Sequence, residues 1–445
     1  MRLFPAEPRI DIYEEGFEDH DLLDRAPLGA RLSRLLDAVD DPQVVAVDGG
    51  WGTGKSFFLK CWVGAHTLEN EGKAQTVYFD AFLNDYGDDP LIPLTSEIET
   101  RFPGDDEGNK AWQRAKLAAA KLWRPVVRMS IASASAGLSE LTGPVLDAAI
   151  NEAKDSSKEA VDEFWSRVDA RRAAIEDFRG AIRDLVGSTG ERGLPERKLI
   201  VVVDELDRCR PDYALSLLET IKHFFSEPGV HFVLGVNLAE LENMVRARYG
   251  GGTNAKLYLQ KFISLSFALP DRDLKDHGLM PLPLAYFDRK ADEMGVEDAL
   301  FKLVRRYLEL EPVARAISLR SVNRILSSMI LIQAPEGDFS KLVIGYQVLV
   351  SGLIILRAVF PEQYQLARQN RLTFDAVSEV FGFQKDTTDT TPHWEALLHY
   401  VWATFLEPDR IQGNWPKVFG PFGVPDPKRE LVLVIDDRME QYNLS

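Results

Sequence analysis

The sequence predicts an α/β protein, with a mainly parallel central sheet covered by helices, interrupted by a helical insertion and followed by a helical C-terminal region. Three observations predict it. Short β-branched runs alternate with stretches of helical periodicity, as they do in successive βα units of a parallel sheet. The runs that begin near Val44 and Leu199 are continuously apolar, as strands buried on both faces are. Over residues 108–187 the composition turns to Ala, Lys, Arg, Glu and Leu, and the strand signal vanishes before resuming.

Residues 1–42 read as a lead-in, with a helix expected over 28–39 because Leu28, Leu32, Leu35 and Leu36 recur at helical spacing. "QVVAVDGG", from Gln43, is a strand stopped by glycines, and an amphipathic helix follows over 55–68. A second strand, "AQTVYFDAF" from Ala74, leads into a helix over 90–101. Within the insertion, Phe164, Val168, Ile175, Phe178, Ile182 and Leu185 form the seam of one long helix. Strands resume at "KLIVVVDELDR" from Lys198, "VHFVLGVN" from Val230 and "FISLSFALP" from Phe262, with helices between them. Beyond residue 271 the chain reads as helical nearly to its end, and residues 412–427, rich in Gly and Pro, as irregular. The expected organisation is a lead-in (1–42), a split core (43–107 and 188–270), a soluble helical insertion (108–187), a helical lid (271–335) and a C-terminal helical region (336–445).

Composition narrows the partners. Lys and Arg number 52 against 69 Asp and Glu, a formal net charge of −17, so the averaged field repels nucleic acid and anionic lipid. Direct nucleic-acid binding is not expected. Residues 123–150 form an apolar stretch broken by Arg124, Arg128, Glu140 and Asp147, short of the roughly 18 to 20 uninterrupted apolar residues a bilayer span needs. Residues 342–360 are more apolar and read as a buried helix, so no membrane span is expected. Two cysteines, Cys61 and Cys209, make no disulfide framework and read as thiols in a reducing cytoplasm. The seven histidines show no paired-ligand spacing.

The chemistry sits in two segments. Gly49 to Ser56 fits G-x-x-x-x-G-K-[ST], placed after a buried strand and opening a helix. Glycines let successive backbone N–H groups turn inward as an anion nest, and the helix N-terminus adds partial positive charge. The candidate nucleotide-binding residues are therefore Gly49, Gly50, Trp51, Gly52, Thr53, Gly54, Lys55, Ser56 and Phe57. Lys55 is expected on the β and γ phosphates and Ser56 on Mg²⁺. The second segment, "LIVVVDELDR", ends an apolar strand in Asp204 and Glu205, where a parallel sheet presents ligands at its carboxyl edge. Asp204 is the candidate for holding Mg²⁺ and Glu205 for orienting the attacking water. Asn237, ending the next strand, is either a γ-phosphate sensor or a turn-forming residue. With no N-K-x-D guanine motif in the chain, ATP is favoured over GTP.

Taken together these segments resemble the KAP family of P-loop NTPases. The resemblance rests on the tryptophan in "GGWGTGKS", on "VYFDAF", on "VVVDELDRCRPDYALSLLETIKHFF", on "YLQKFISLSFALP" and on "LRSVNRIL" over residues 319–326, in the family's order. It implies an ASCE-type core, ATP and Mg²⁺ as ligands, and hydrolysis coupled to conformational change or assembly. Asp207 and Arg208 match the family's extended acidic motif, and Arg320 or Arg324 would be a sensor or finger for the γ-phosphate. The family also implies roles in phage exclusion, mobile-element conflict or signalling scaffolds, with protein partners, an effector as a separate chain, and homo-oligomerisation left open. Many members carry transmembrane helices where this chain has its insertion, and here those helices read as soluble. The competing expectation is an ATP-gated binding or scaffold module with little hydrolysis. For Trp51, base stacking and bracing against a neighbouring subunit both remain open.

Overall fold

The computed structural model describes residues 9–18, 20–87, 89–101, 113–119, 158–187, 195, 197–270, 280–294, 299–333, 339–383, 393–408, 418–419 and 423–439. Five strands, β1 (Gln43–Asp48), β2 (Gln75–Asp80), β3 (Leu199–Asp204), β4 (Val230–Val236) and β5 (Leu265–Ala268), pair in the order β2-β3-β4-β1-β5. Every pairing is parallel. This is the expected sheet. The order matters for the site, because β4 lies between β1 and β3 and brings Asp48, Asp204 and Val236 to one carboxyl edge.

Continuous apolar strands are explained by helices on both faces. All six residues of β3 are buried. Leu199, Val201 and Val203 face a core shared with Phe178, Tyr213, Leu217 and Phe232. Ile200 and Val202 face another, shared with Phe58, Trp62, Leu32 and Leu36. The helix Lys55–Leu68 therefore lies on one face with the helix Ala26–Ala38, and the helices Leu91–Arg101 and Pro211–Phe224 lie on the other. The expected long helix of the insertion runs Lys158–Leu185, and its Phe178 meets Phe225 edge-on at 5.2 Å between centroids. Expectations for residues 123–150, and for most of 412–427, lie outside the described residues. Among the described residues no helix is long and apolar enough to cross a membrane.

The N-terminal segment is more than a lead to the sheet. Phe17 packs on Phe58 with ring centroids 5.6 Å apart, and the Tyr13 hydroxyl accepts from the backbone N–H of Tyr78 at 2.9 Å. Lys198 donates to the carbonyls of Asp37 at 2.6 Å and Val39 at 2.7 Å, placing a cation at the negative end of the helix Ala26–Ala38. The helices from Leu282–Glu293 to Pro427–Arg438 surround one apolar core that runs from Leu284 to Met439, so the segments expected as 271–335 and 336–445 share their packing. Its axis is the helix Ile344–Val359, buried on nearly every side as its apolar sequence requires. A small cluster of Leu23, Leu282 and Leu319 joins this bundle to the N-terminal segment.

Candidate nucleotide-binding site

The loop after β1 turns on Gly52 and Gly54, at φ +79° and +82°, values an L side chain rarely adopts. The helix Lys55–Leu68 starts directly after Gly54. Lys55 Nζ lies back along the loop, donating to the carbonyl of Gly49 at 2.6 Å and of Gly50 at 3.2 Å. The Thr53 hydroxyl donates to the Gly50 carbonyl at 2.9 Å. Burial pushes the Lys55 ammonium below its ordinary range, partly offset by Asp207 and Asp204.

Asp204 ends β3 almost fully buried. Its Oδ2 accepts from the Tyr78 hydroxyl at 2.7 Å and its Oδ1 accepts from the Glu205 N–H at 2.9 Å, with Ser56 beside it in the lining of the same cleft. Burial raises the Asp204 carboxyl and these bonds lower it. Ser56 and Asp204 thus stand together as hard oxygen donors, a set that fits Mg²⁺ completed by phosphate oxygens and water. Glu205 follows in the left-handed region, φ +59°, and pairs with Arg208 at 2.7 Å. Burial raises its carboxyl, and Arg208 opposes that.

The loop and the end of β3 open on one cleft of about 880 Å³. Gly50, Trp51, Gly52, Gly54, Lys55, Ser56 and Phe57 line it, as do Asp204, Glu205, Asp207, Arg208 and Arg320. Gly49 and Thr53 do not line it, and act on the loop's own backbone. Asn237 is also absent from the lining. Its side chain instead caps the helix Leu238–Tyr249, accepting from the Ala239 N–H at 3.2 Å, because a helix start needs such an acceptor. Arg324 is exposed on the helix Leu319–Gln333 away from the cleft, whereas Arg320, at that helix's first turn, lines it.

Several contributors were not visible in the motifs. Ile10, Ile12, Leu22, Leu23, Leu319 and Tyr286 add apolar side chains to the cleft's lining. Buried Arg25 donates to the loop carbonyls of Thr53 at 2.9 Å and Gly54 at 3.3 Å, and desolvation lowers its guanidinium to about 10. Tyr78 lies in "VYFDAF", but its contact with Asp204 depends on β2 pairing with β3. The backbone N–H of Leu319 donates to the Gly52 carbonyl at 3.0 Å, tying the C-terminal bundle to the loop.

An uncharacterised protein of Methanocaldococcus jannaschii is 26% identical over 172 residues, 34% of this chain and 84% of that protein. Among solved structures, the Aeropyrum pernix ORC2 protein covers 99% of this chain and 98% of its own at 13% identity and a TM-score of 0.35. Thermotoga maritima RuvB covers 92% and 89% at 12% identity and a TM-score of 0.27. Assignment rests instead on residues 25–334, more than two thirds of the chain, which match the KAP family P-loop domain. With its phosphate loop and acidic strand end facing one cleft, the chain belongs to the KAP family of P-loop NTPases.

Proposed function

We propose that the chain is a Mg²⁺-dependent ATPase that couples ATP binding and hydrolysis to a change in its helical C-terminal region. The observation that carries this is the convergence of Lys55, Ser56, Asp204, Glu205 and Arg320 on one cleft whose loop is bonded to Leu319 of the bundle. The phosphate loop and Lys55 would bind the β and γ phosphates, and the apolar side chains of Ile10, Ile12, Leu22 and Tyr286 in the cleft's lining would offer contacts for the base. Mg²⁺, held by Ser56 and Asp204, supplies charge neutralisation to the phosphates when bound. Glu205 orients a water whose oxygen bonds to the γ-phosphorus as the bond to the β–γ bridging oxygen breaks. The water's proton passes to the Glu205 carboxylate or the departing phosphate, and ADP and phosphate result. Arg320 offsets charge on the γ oxygens.

Phosphate release from Mg²⁺ and ATP tests this reading. Lys55→Ala is expected to lose binding, and Glu205→Gln to bind but turn over at least about a hundredfold more slowly. Full turnover in Glu205→Gln would remove the role given to Glu205. A second reading, an ATP-gated module with little hydrolysis, is favoured by the Glu205–Arg208 ion pair, which engages the carboxylate the reaction needs. Binding by the wild type with no phosphate release would select it. The setting we propose is anti-phage defence, with effector chemistry on a separate chain. A neighbouring gene for a nuclease or deaminase would support that setting, and a housekeeping neighbourhood would oppose it.

A further inference from the structure

The indole of the phosphate loop has no task in the site as described. Its N–H donates to Asp207 Oδ2 at 2.8 Å, yet the residue is 51% exposed, so it does not serve as core packing. Asp207 is the opposite case. Its side chain is 2% exposed, and it lies 4.0 Å from Lys55 Nζ. One buried carboxylate is therefore shared by two residues of the phosphate loop, Trp51 at the tip and Lys55 at the helix end.

A loop with four glycines in the six residues 49–54 has many conformations open to it, and ordering it on ligand binding costs affinity. A charge-assisted hydrogen bond from the tip to a fixed buried group removes that freedom beforehand. We propose that Asp207 is a positioning residue: through Trp51 it pins the tip of the phosphate loop, and by charge it holds Lys55, so that the loop's N–H groups are set for a polyphosphate before one arrives. This rests on the nucleotide reading of the same cleft. It also accounts for an indole at the tip, since phenylalanine there would offer the ring without the donor.

Calorimetric titration with MgADP and with a hydrolysis-resistant MgATP analogue tests the proposal on the full chain. Trp51→Phe keeps an aromatic ring and removes only the donor, while Asp207→Asn keeps an oxygen and removes the charge. Each is expected to weaken binding of both ligands about tenfold or more. The double variant should lose less than the product of the two single losses, because both substitutions act on one tie. In the ligand-free chain, Trp51→Phe should speed amide hydrogen exchange across residues 50–54 while leaving that of β3 unchanged, a result that a merely structural bond would not give. Wild-type affinity in Trp51→Phe, or losses that multiply in the double variant, would overturn the proposal while the nucleotide reading stands. Failure of the wild-type chain to bind either ligand would overturn both.

Discussion

Glu205 is where the backbone leaves β3, and its left-handed φ of +59° is uncommon for a residue with a side chain. Such strain persists where surrounding structure fixes it, here the buried Asp204 before it and the Arg208 ion pair after it. As a base the carboxylate works ionised, so turnover should be present above its pKa and lost as pH falls through it. Burial raises that pKa, which places the acid limb above an ordinary glutamate's. Arg208→Gln removes the counter-charge and is expected to move the limb to still higher pH in a kcat profile; an unmoved limb would show that the ion pair does not act on Glu205 in turnover. At this scale the shared place of Lys55, Ser56, Asp204 and Glu205 at one cleft was legible because loop and strand end each carry them as adjacent residues. Arg25 and Tyr78 were not, since their contacts with Thr53 and Asp204 exist only once the N-terminal segment and β2 find their places.

Among the elements, β4 sets the spacing of the site. It is paired on both sides, to β1 and β3, and at Gly235 it passes so close to its neighbours that a Cβ would stand 2.4 Å from Leu59 Cδ1 and 2.5 Å from Asp204 Oδ1. A central strand has no room to shift. Gly235→Ala is expected to cost about 1–3 kcal/mol of stability in chemical denaturation. It should also displace the Asp204 carboxylate, lowering turnover at least tenfold while ADP affinity changes little. Wild-type turnover in this variant would mean that β4 does not govern Asp204. The strands themselves could be read from uninterrupted apolar runs, and the helix Lys55–Leu68 from its glycine start. The function of the polar residue closing β4 could not, because capping a helix and facing a ligand call for the same residue type, and only the geometry of Asn237 separates them.

For the whole molecule, the N-terminal segment, the phosphate loop with the sheet edge, and the helices Leu282–Glu293 and Leu319–Gln333 all line one cleft. A ligand there should hold them as a unit. MgATP at a hundred times its Kd is expected to add about 2.7 kcal/mol of stability, seen as a higher melting temperature and as protection of the bundle from proteolysis, both lost in Lys55→Ala. Protection confined to the sheet would mean the bundle is not coupled to the site. The net charge of −17 predicts weak binding of duplex DNA, and tight, salt-sensitive binding in an anisotropy titration would reveal a local patch that overrides the field. Motifs spaced along the chain announced the sheet, but residues 9–25 carry no periodicity, so their place on the phosphate-loop helix came only from packing.

The strand order also has a consequence for how the chain is made. β1 pairs only with β4 and β5, both of which follow the insertion. While the ribosome adds that insertion, an apolar strand and its glycine loop wait with both edges bare, the condition that invites pairing with other chains. Closure of such a distant pair is slow, since its loop entropy is lost before any ladder forms. A product ending before Val230 would therefore be a sticky fragment in need of a chaperone, and the nucleotide loop comes into being only late in synthesis.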